Sequence, residues 1–376
     1  MIVVVGAGLI GLGIAFELAR RGAHVRVIEA GEPGAGASWA GAGMLAPFTE
    51  SLESPAYEAF CAASLAAYPA FVEAVRETGG VDPRLRLNGI VEAAFDAPLA
   101  ARLREHARTL AGRGIEARWL ERDEARMLEP ALGANVLGAS YVAGEGQVDN
   151  RRLGRALRAA CEALDVRIDT GTGNVALEAD ARRVLGVRGP LGFVPATTVV
   201  NAAGAWSGAL AGVPERARVP VVPVKGQMLA LALPVGLVRR VLWVPGAYLV
   251  PRDDGRLLVG ATVEDAGFDV RVTARGMRSL LDATLAALPS LGELAVAESW
   301  AGLRPGSHDG LPYLGATSLG GYVVAAGHHR NGILLTPATA TAIADLLEGQ
   351  SVPSLAAFSP ERRREALDGD IAKMPA

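Results

Sequence analysis

The chain has 376 residues, half of them hydrophobic and a fifth charged, with a formal net charge of -3 at pH 7. That length and balance fit two globular domains, or one elaborate α/β domain with an insertion, and exclude a disordered chain. The near-neutral charge leaves no electrostatic case for nucleic acid or an anionic membrane surface, and the two distant cysteines, Cys61 and Cys161, read as buried free thiols rather than a disulfide framework or a zinc site.

In chain order, residues 2–5 (IVVV) form a short β-branched run, the mark of a buried parallel strand. Glycines follow from Gly6 to Gly11, and Ile10 to Arg21 reads as a helix with Ile14, Ala15 and Leu18 on one face, ended by Gly22. Val25 to Ile28 gives a second strand closing on Glu29, which completes a βαβ unit. Residues 31–47 are rich in Gly, Ala and Ser and read as a loop that lets backbone approach a ligand, before a helix around 54–79. Residues 85–140 mix strand-like and charged helical segments. A helix over 151–164, a strand over 166–168 and a strand with a glycine turn over 197–204 come next.

From about 218 to 300 the pattern becomes strand-like with hairpin turns such as Asp254-Gly255, which predicts a mainly antiparallel sheet inserted into the α/β framework. The framework returns with a strand over 321–327 and a helix over 332–348, and the chain from Pro360 onward is polar and expected to be peripheral. No apolar run reaches the length of a bilayer span, and the opening MIVVVGAG lacks a basic leader, so the expected location is the cytoplasm.

Gly6-Ala7-Gly8-Leu9-Ile10-Gly11 is G-x-G-x-x-G between a strand and a helix, with an acid, Glu29, at the end of the next strand. Gly6 permits the tight turn, Gly8 leaves room for a pyrophosphate, Gly11 lets helix and strand approach, and Glu29 would accept hydrogen bonds from a ribose. This motif alone does not separate NAD from FAD. Three features favour FAD: no second glycine motif for a nicotinamide unit, backbone amides along Ala37-Ser38 to Gly43-Met44-Leu45, and a glycine turn leading into a helix at 327–335. A helix N-terminus placed there stabilises the negative charge of a reduced flavin.

Taken together, VVVGAGLIGLGIAFEL, GASWAGAGML, VVNAAGAWS, PVKGQMLAL, AYLVPRDDGRLLVGATVE, WAGLRPGSHDGLPYLG and AAGHHRNGILLTPATATAIADLL resemble the D-amino-acid oxidase family of flavoproteins, and within it the glycine oxidases of thiazole biosynthesis. The resemblance runs from the N-terminus to about residue 348. It implies a Rossmann-type FAD-binding domain over 1–84, 141–217 and 301–360, a sheet-rich substrate domain over 85–140 and 218–300, and a tail over 361–376. It implies non-covalent FAD with contacts at Gly6, Gly8, Leu9, Ile10, Gly11, Glu29, Ala30, Ala37, Ser38, Ala42, Gly43, Met44 and Val175, and at His328, His329, Arg330, Asn331, Gly332, Ile333 and Leu334. Substrate contacts are implied at Tyr248, Arg304 and Arg330. The implied reaction moves a hydride from glycine to flavin N5, giving iminoacetate, then glyoxylate and ammonia, with O2 reduced to H2O2. An assembly of identical copies, a tetramer among the possibilities, and transfer of the imine to a thiazole synthase are also implied. The alternatives are a D-amino-acid or sarcosine-type oxidase, a dehydrogenase using another acceptor, and a flavin-binding module without turnover.

The residues themselves support part of this. Arg304 can grip both oxygens of a carboxylate and cannot lose its charge, and Tyr248 can donate its hydroxyl to the same group. Neither His328 nor His329 is needed as a base, because hydride transfer from Cα requires a neutral amine and good positioning rather than a strong side-chain base. No catalytic side chain and no metal ligand is therefore assigned. Lys225, one of only two lysines, reads as a solvent-exposed loop lysine, with a charge beside the flavin as the alternative. His308 and Asp309 are expected to shape the turn after Arg304. Val263 is expected to leave room for a substrate larger than glycine.

Overall fold

The computed structural model describes residues 1–50, 52 and 54–362. Six strands form one sheet in the order Tyr313–Ala316, Tyr322–Ala326, Thr198–Asn201, Ile2–Val5, Val25–Ile28, Arg167–Asp169. All neighbours are parallel except the first pair. Ile2–Val5 lies inside this sheet, so both its faces are covered. Val4 joins the helical layer, while Val3 and Val5 join the core under the small sheet built from Ala176–Ala179, Val184–Gly189 and Gly192–Pro195. An unbroken β-branched run is what two covered faces require.

On one side of the sheet the Leu9–Arg20 helix packs against Asn150–Ala163 and Thr336–Leu347, and Pro55–Gly79 packs across the latter two. Gly11 and Gly13 lower the helix propensity of Leu9–Arg20, but Leu12, Ile14, Phe16 and Leu18 are almost completely buried, each contributing about 1.5–3 kcal/mol. Packing holds this helix.

Ser54 caps Pro55–Gly79 by accepting from the Tyr57 amide, and Gly80 ends it in a left-handed conformation with φ 70°. By length and composition this helix could cross a membrane, contrary to the expectation that no run is long enough. Its stripe of Tyr57, Cys61, Leu65, Tyr68, Val72 and Val75 is nonetheless buried in the helical layer.

The second large sheet has eight strands in the order Val296–Gly306, Val222–Ala232, Arg256–Gly260, Ala247–Pro251, Val241–Val244, Ile90–Ala94, Gly138–Val142, Ala117–Glu121. It is antiparallel apart from the Val241–Val244 and Ile90–Ala94 pair. Gly138–Val142 and Val296–Gly306 straddle the expected borders at 140 and 300, because each completes its pairing with the sheet. One face carries the Ala274–Ala287 helix. The other face meets the Gly-rich loop: Ala40, Ala42 and Ala46 pack with Met228, Val250, Leu258 and Trp300.

Three local expectations change. The 31–47 segment contains a short helix, Ala37–Ala40, and a strand, Met44–Leu45, paired with Gly146–Gln147. The late helix is Thr336–Leu347, preceded by a 3-10 turn at His329–Asn331; Pro337 suits the first helical turn, where no amide bond is needed. The chain after Pro360 is not peripheral at its start. Pro360 is buried, and Arg362 pairs with Asp309 at 2.9 Å and donates to the carbonyls of Leu311 and Pro312. Residues 363–376, the rest of the expected tail, lie outside the described residues.

Candidate active site

The glycine motif is dictated by close approach. Gly6 has φ +104°, and a Cβ on it would stand 2.5 Å from the Ala202 carbonyl oxygen; one on Gly11 would stand 2.0 Å from the Gly6 oxygen. Gly8 is the N-cap of Leu9–Arg20, with no side-chain cap and no acid in the first turn. The Leu9 amide donates to Ser38 Oγ at 2.9 Å, and the other first-turn amides have no helical partner by geometry. An uncapped N-terminus lined by glycine is the donor set a diphosphate needs.

Glu29 accepts the amide hydrogens of Ala7 at 2.7 Å and Gly31 at 2.9 Å, which fixes its carboxylate at the strand end with lone pairs to spare. The 171–173 turn hydrogen-bonds along residues 29–31, and Val175 just beyond it packs against the core under the small sheet. These groups fit the ribose, adenine and diphosphate of FAD.

The loop toward the isoalloxazine end is locked from behind. Gly43 has φ +69°, and a Cβ there would stand 2.0 Å from the Val148 oxygen. The Val148 amide donates to Gly43 O at 2.9 Å. Arg252, which the sequence reading did not single out, is buried and donates to Ala42 O and Asn150 Oδ1, both at 2.8 Å, to Val148 O at 3.2 Å, and to Gln147. Burial pushes this guanidinium down to about 10, so it stays charged at neutral pH. A cleft of about 750 Å3 lies beside Ser38 and Trp39 with Arg252 in its wall. Arg304 and Tyr248 do not line it, and several of its arginines are ion-paired, Arg86 with Asp253 at 2.6 Å and Arg151 with Glu298 at 3.0 Å among them.

The 327–335 turn faces that loop: a Cβ on Gly41 would stand 2.7 Å from Ile333 Cδ1. Ile333 and Leu334 are held through their carbonyls by Tyr68 Oη at 2.8 Å and Ser64 Oγ at 2.6 Å. His328 is buried against Thr339 Oγ1 at 3.2 Å, and burial drives its pKa down to about 3. His329 adopts φ 48°, and its buried Nε2 finds no hydrogen-bond partner among the described residues. Burial, then the charges of Arg304 and Arg330, lower it to about 4. Both rings are neutral at neutral pH, which leaves neither as a strong base. Arg330 donates to Glu50 Oε2 at 3.0 Å, and Asn331 reaches the same oxygen at 3.0 Å. Glu50 was not anticipated; its only sequence signal is an acid just beyond the Gly-rich loop.

The carboxylate-binding candidates stand on one face of the eight-stranded sheet. Arg304 is paired with Val224, Gly302 with Gly226 and Trp300 with Met228, and opposed residues face the same side. Two glycines open room there. A Cβ on Gly260 would stand 2.7 Å from the Tyr248 hydroxyl, and one on Gly226 would stand 2.4 Å from Arg304 Nη1. The Tyr248 hydroxyl points to Met228 Sδ at 3.8 Å, and the Arg304 charge acts on it. Burial raises the phenol, and Arg304 only partly offsets it, so Tyr248 remains a donor. Arg304 Nη1 donates to the carbonyls of Thr262 at 3.2 Å and Lys225 at 3.4 Å. Among the described residues no carboxylate lies within ion-pair distance of Arg304.

The same face holds the Gly-rich loop. Trp300 Nε1 donates to Ala40 O at 2.9 Å, and a Cβ on Gly302 would stand 2.4 Å from Ala40 Cβ. The nucleotide loop and the arginine are thus brought within one seam.

Lys225 is neither in a loop nor in solvent. It is 2% exposed inside the Val222–Ala232 strand, and strand alternation turns it away from Arg304. His308 bonds Tyr313 at 2.9 Å and Asp309 bonds Arg362, so both shape the turn. Cys61 and Cys161 are buried and unpaired. Val263, next to the Thr262 carbonyl that accepts from Arg304, is 51% exposed.

The chain matches the family model described as DAO, FAD dependent oxidoreductase, over residues 1–346. It is 38% identical to a glycine oxidase of Pseudomonas aeruginosa over 93% of this chain and 95% of that one. It is 37% identical to the bifunctional protein ThiO/ThiG of Synechocystis, covering 96% of this chain but only 54% of that relative's length. The crystal structure of glycine oxidase from Geobacillus kaustophilus superposes with a TM-score of 0.91 at 37% identity, over 96% of this chain and 98% of that one. With the uncapped helix, the anchored Glu29 and the fold in agreement, the chain belongs to the family of FAD-dependent oxidoreductases.

Proposed function

We propose that this protein is a glycine oxidase: it oxidises glycine to the imine, which hydrolyses to glyoxylate and ammonia, and dioxygen is reduced to hydrogen peroxide. The carrying observation is Arg304, a partly buried guanidinium whose hydrogen-bond partners on the chain are backbone carbonyls. A guanidinium held in place with no counter-ion among the described residues suits bidentate capture of a carboxylate. Tyr248 donates its hydroxyl to the same carboxylate. Together they fix the substrate by its acid group and turn its Cα toward the seam with residues 40–44. FAD, when bound, supplies the acceptor for the hydride. The chain's part is binding, orientation and exclusion of water. Arg330, held by Glu50, stands at the edge of this space as a secondary contact.

The relatives named glycine oxidase support this choice of substrate. The name ThiO/ThiG, carried by a relative of which this chain spans about half, supports passage of the imine to an enzyme of thiazole formation. A cytoplasmic location and self-association belong to the same reading.

Anaerobic mixing of the purified holoenzyme with glycine, sarcosine and D-alanine tests it. Glycine is expected to bleach the flavin at the highest kcat/KM, with one peroxide formed per turnover once air is admitted. Bleaching that persists in air points to a dehydrogenase, and no bleaching with any of the three overturns the proposal.

A further inference from the structure

Lys225 is one of two lysines in a chain with 37 lysine and arginine residues, and it is buried in a strand rather than placed at the surface. It pairs across the sheet with Leu303, one residue out of step with the Arg304 row, and so faces the side away from Ala40. On that side its Nζ lies 3.5 Å from Glu264 Oε2. The other Glu264 oxygen accepts from Gln227 Nε2 at 2.7 Å and from the Thr262 hydroxyl. Burial alone would raise this carboxyl, but these hydrogen bonds and the lysine charge hold it below the usual range.

Backbone bonds complete a strap over residues 262–264. The Lys225 amide donates to Glu264 O at 3.0 Å, the Glu264 amide to Lys225 O at 2.9 Å, and the Gln227 amide to Thr262 Oγ1 at 2.8 Å. The Thr262 amide also donates to Gln227 O at 3.3 Å, and the Thr273 amide to Gln227 Oε1 at 2.7 Å. Beyond Glu264 the chain runs to Thr273 without regular structure, exposing Phe268 and Val270. Phe268 stacks on Trp206 with ring centroids 5.6 Å apart, and the ion pair of Lys225 with Glu264 supplies the one buried charge of this anchorage. The strap's front touches the site. Thr262 O accepts Arg304 Nη1, and Lys225 O, already bonded to the Glu264 amide, accepts the same nitrogen.

We propose that Lys225 and Glu264 are positioning residues which, from the back of the sheet, fix the two carbonyls that orient the Arg304 guanidinium for a substrate carboxylate. This rests on the reading of Arg304 as the carboxylate receptor. A buried lysine suits the task because one compact charge anchors one carboxylate, whereas the five donors of a guanidinium would need more acceptors than this face offers.

The test uses holoenzyme carrying Lys225→Met, Lys225→Arg or Glu264→Gln. Acetate, a carboxylate with no amine to oxidise, is the probe, and its binding is followed through the flavin spectrum. Lys225→Met and Glu264→Gln are expected to weaken acetate about tenfold or more and to raise the glycine KM in proportion, with FAD content and kcat within a few-fold of wild type. In an Arg304→Lys background, where weak binding persists, the same changes should add nothing further. A purely structural role would weaken both backgrounds equally, and that result overturns the proposal. So does wild-type acetate affinity in either variant with full FAD content. If Lys225→Met does not retain FAD, Glu264→Gln and Lys225→Arg decide by the same criteria. If Arg304→Lys itself leaves acetate binding unchanged, the carboxylate reading has failed, and the strap proposal, which rests on it, falls with it.

Discussion

The Arg304 guanidinium occupies the space that a side chain at Gly226 would take: a Cβ there would stand 2.4 Å from Nη1. The nearest obstacle is the far end of a long side chain, which can move. Gly226→Ala should therefore displace the arginine head more than it unsettles the fold. The expected result is a glycine KM raised about tenfold, with a stability loss within about 1–3 kcal/mol and full FAD content. An unchanged KM would show that the head does not depend on the bare backbone beneath it.

Removing the charge itself should cost more. Arg304→Ala is expected to raise KM for glycine by the equivalent of about 2–5 kcal/mol while the flavin stays bound. Steady-state kinetics alongside the visible spectrum check both halves. Loss of FAD together with activity would place Arg304 at the cofactor rather than the substrate.

Glu29 holds two amides on either side of the nucleotide turn. In Glu29→Gln the new NH2 group cannot accept either hydrogen, so one backbone donor loses its partner. FAD affinity should fall by about 1–3 kcal/mol, read by titrating apoprotein with FAD. A dissociation constant within threefold of wild type contradicts the assignment of this acid to the ribose edge.

Glu145 gives a pH dependence with a definite sign. It is fully buried and accepts from the amides of Phe48 and Thr49 and from the Thr49 hydroxyl. Burial outweighs those bonds and raises its pKa from 4.5 to about 7. The folded state thus holds a proton that the unfolded chain releases between these values. Its contribution is full below pH 4.5 and is lost as the pH rises through about 7. The shift corresponds to roughly 3 kcal/mol. Glu145→Gln removes this slope, so its stability relative to wild type should increase from pH 5 to pH 8 in urea unfolding. A constant difference between the two proteins would mean that Glu145 titrates normally.

The nucleotide end was legible because its causes are local. Gly6, Gly8 and Gly11 act on neighbours a few residues away, and the strand, turn, helix and second strand of residues 2–29 follow one another as read. The late helix was read in place but started too early, since Pro337 and the 3-10 turn before it are decided by what the turn must face. Arg304 and Tyr248 were reached through resemblance. The residues that hold them, Gly226 and Gly260, were not, because a glycine in a strand does not say whose side chain will lie over it.

The amino-acid sequence by itself determined the βαβ unit, the uncapped helix that suits a diphosphate, and the alternation of a long antiparallel sheet. Tertiary structure alone decided that Lys225 is buried behind Arg304, that Glu50 holds Arg330, and that Arg252 ties Ala42 to Val148. The physical reason is one of range. Turn and helix propensities are set by adjacent residues, whereas the face a strand residue takes and the partner it meets depend on pairing register between distant segments.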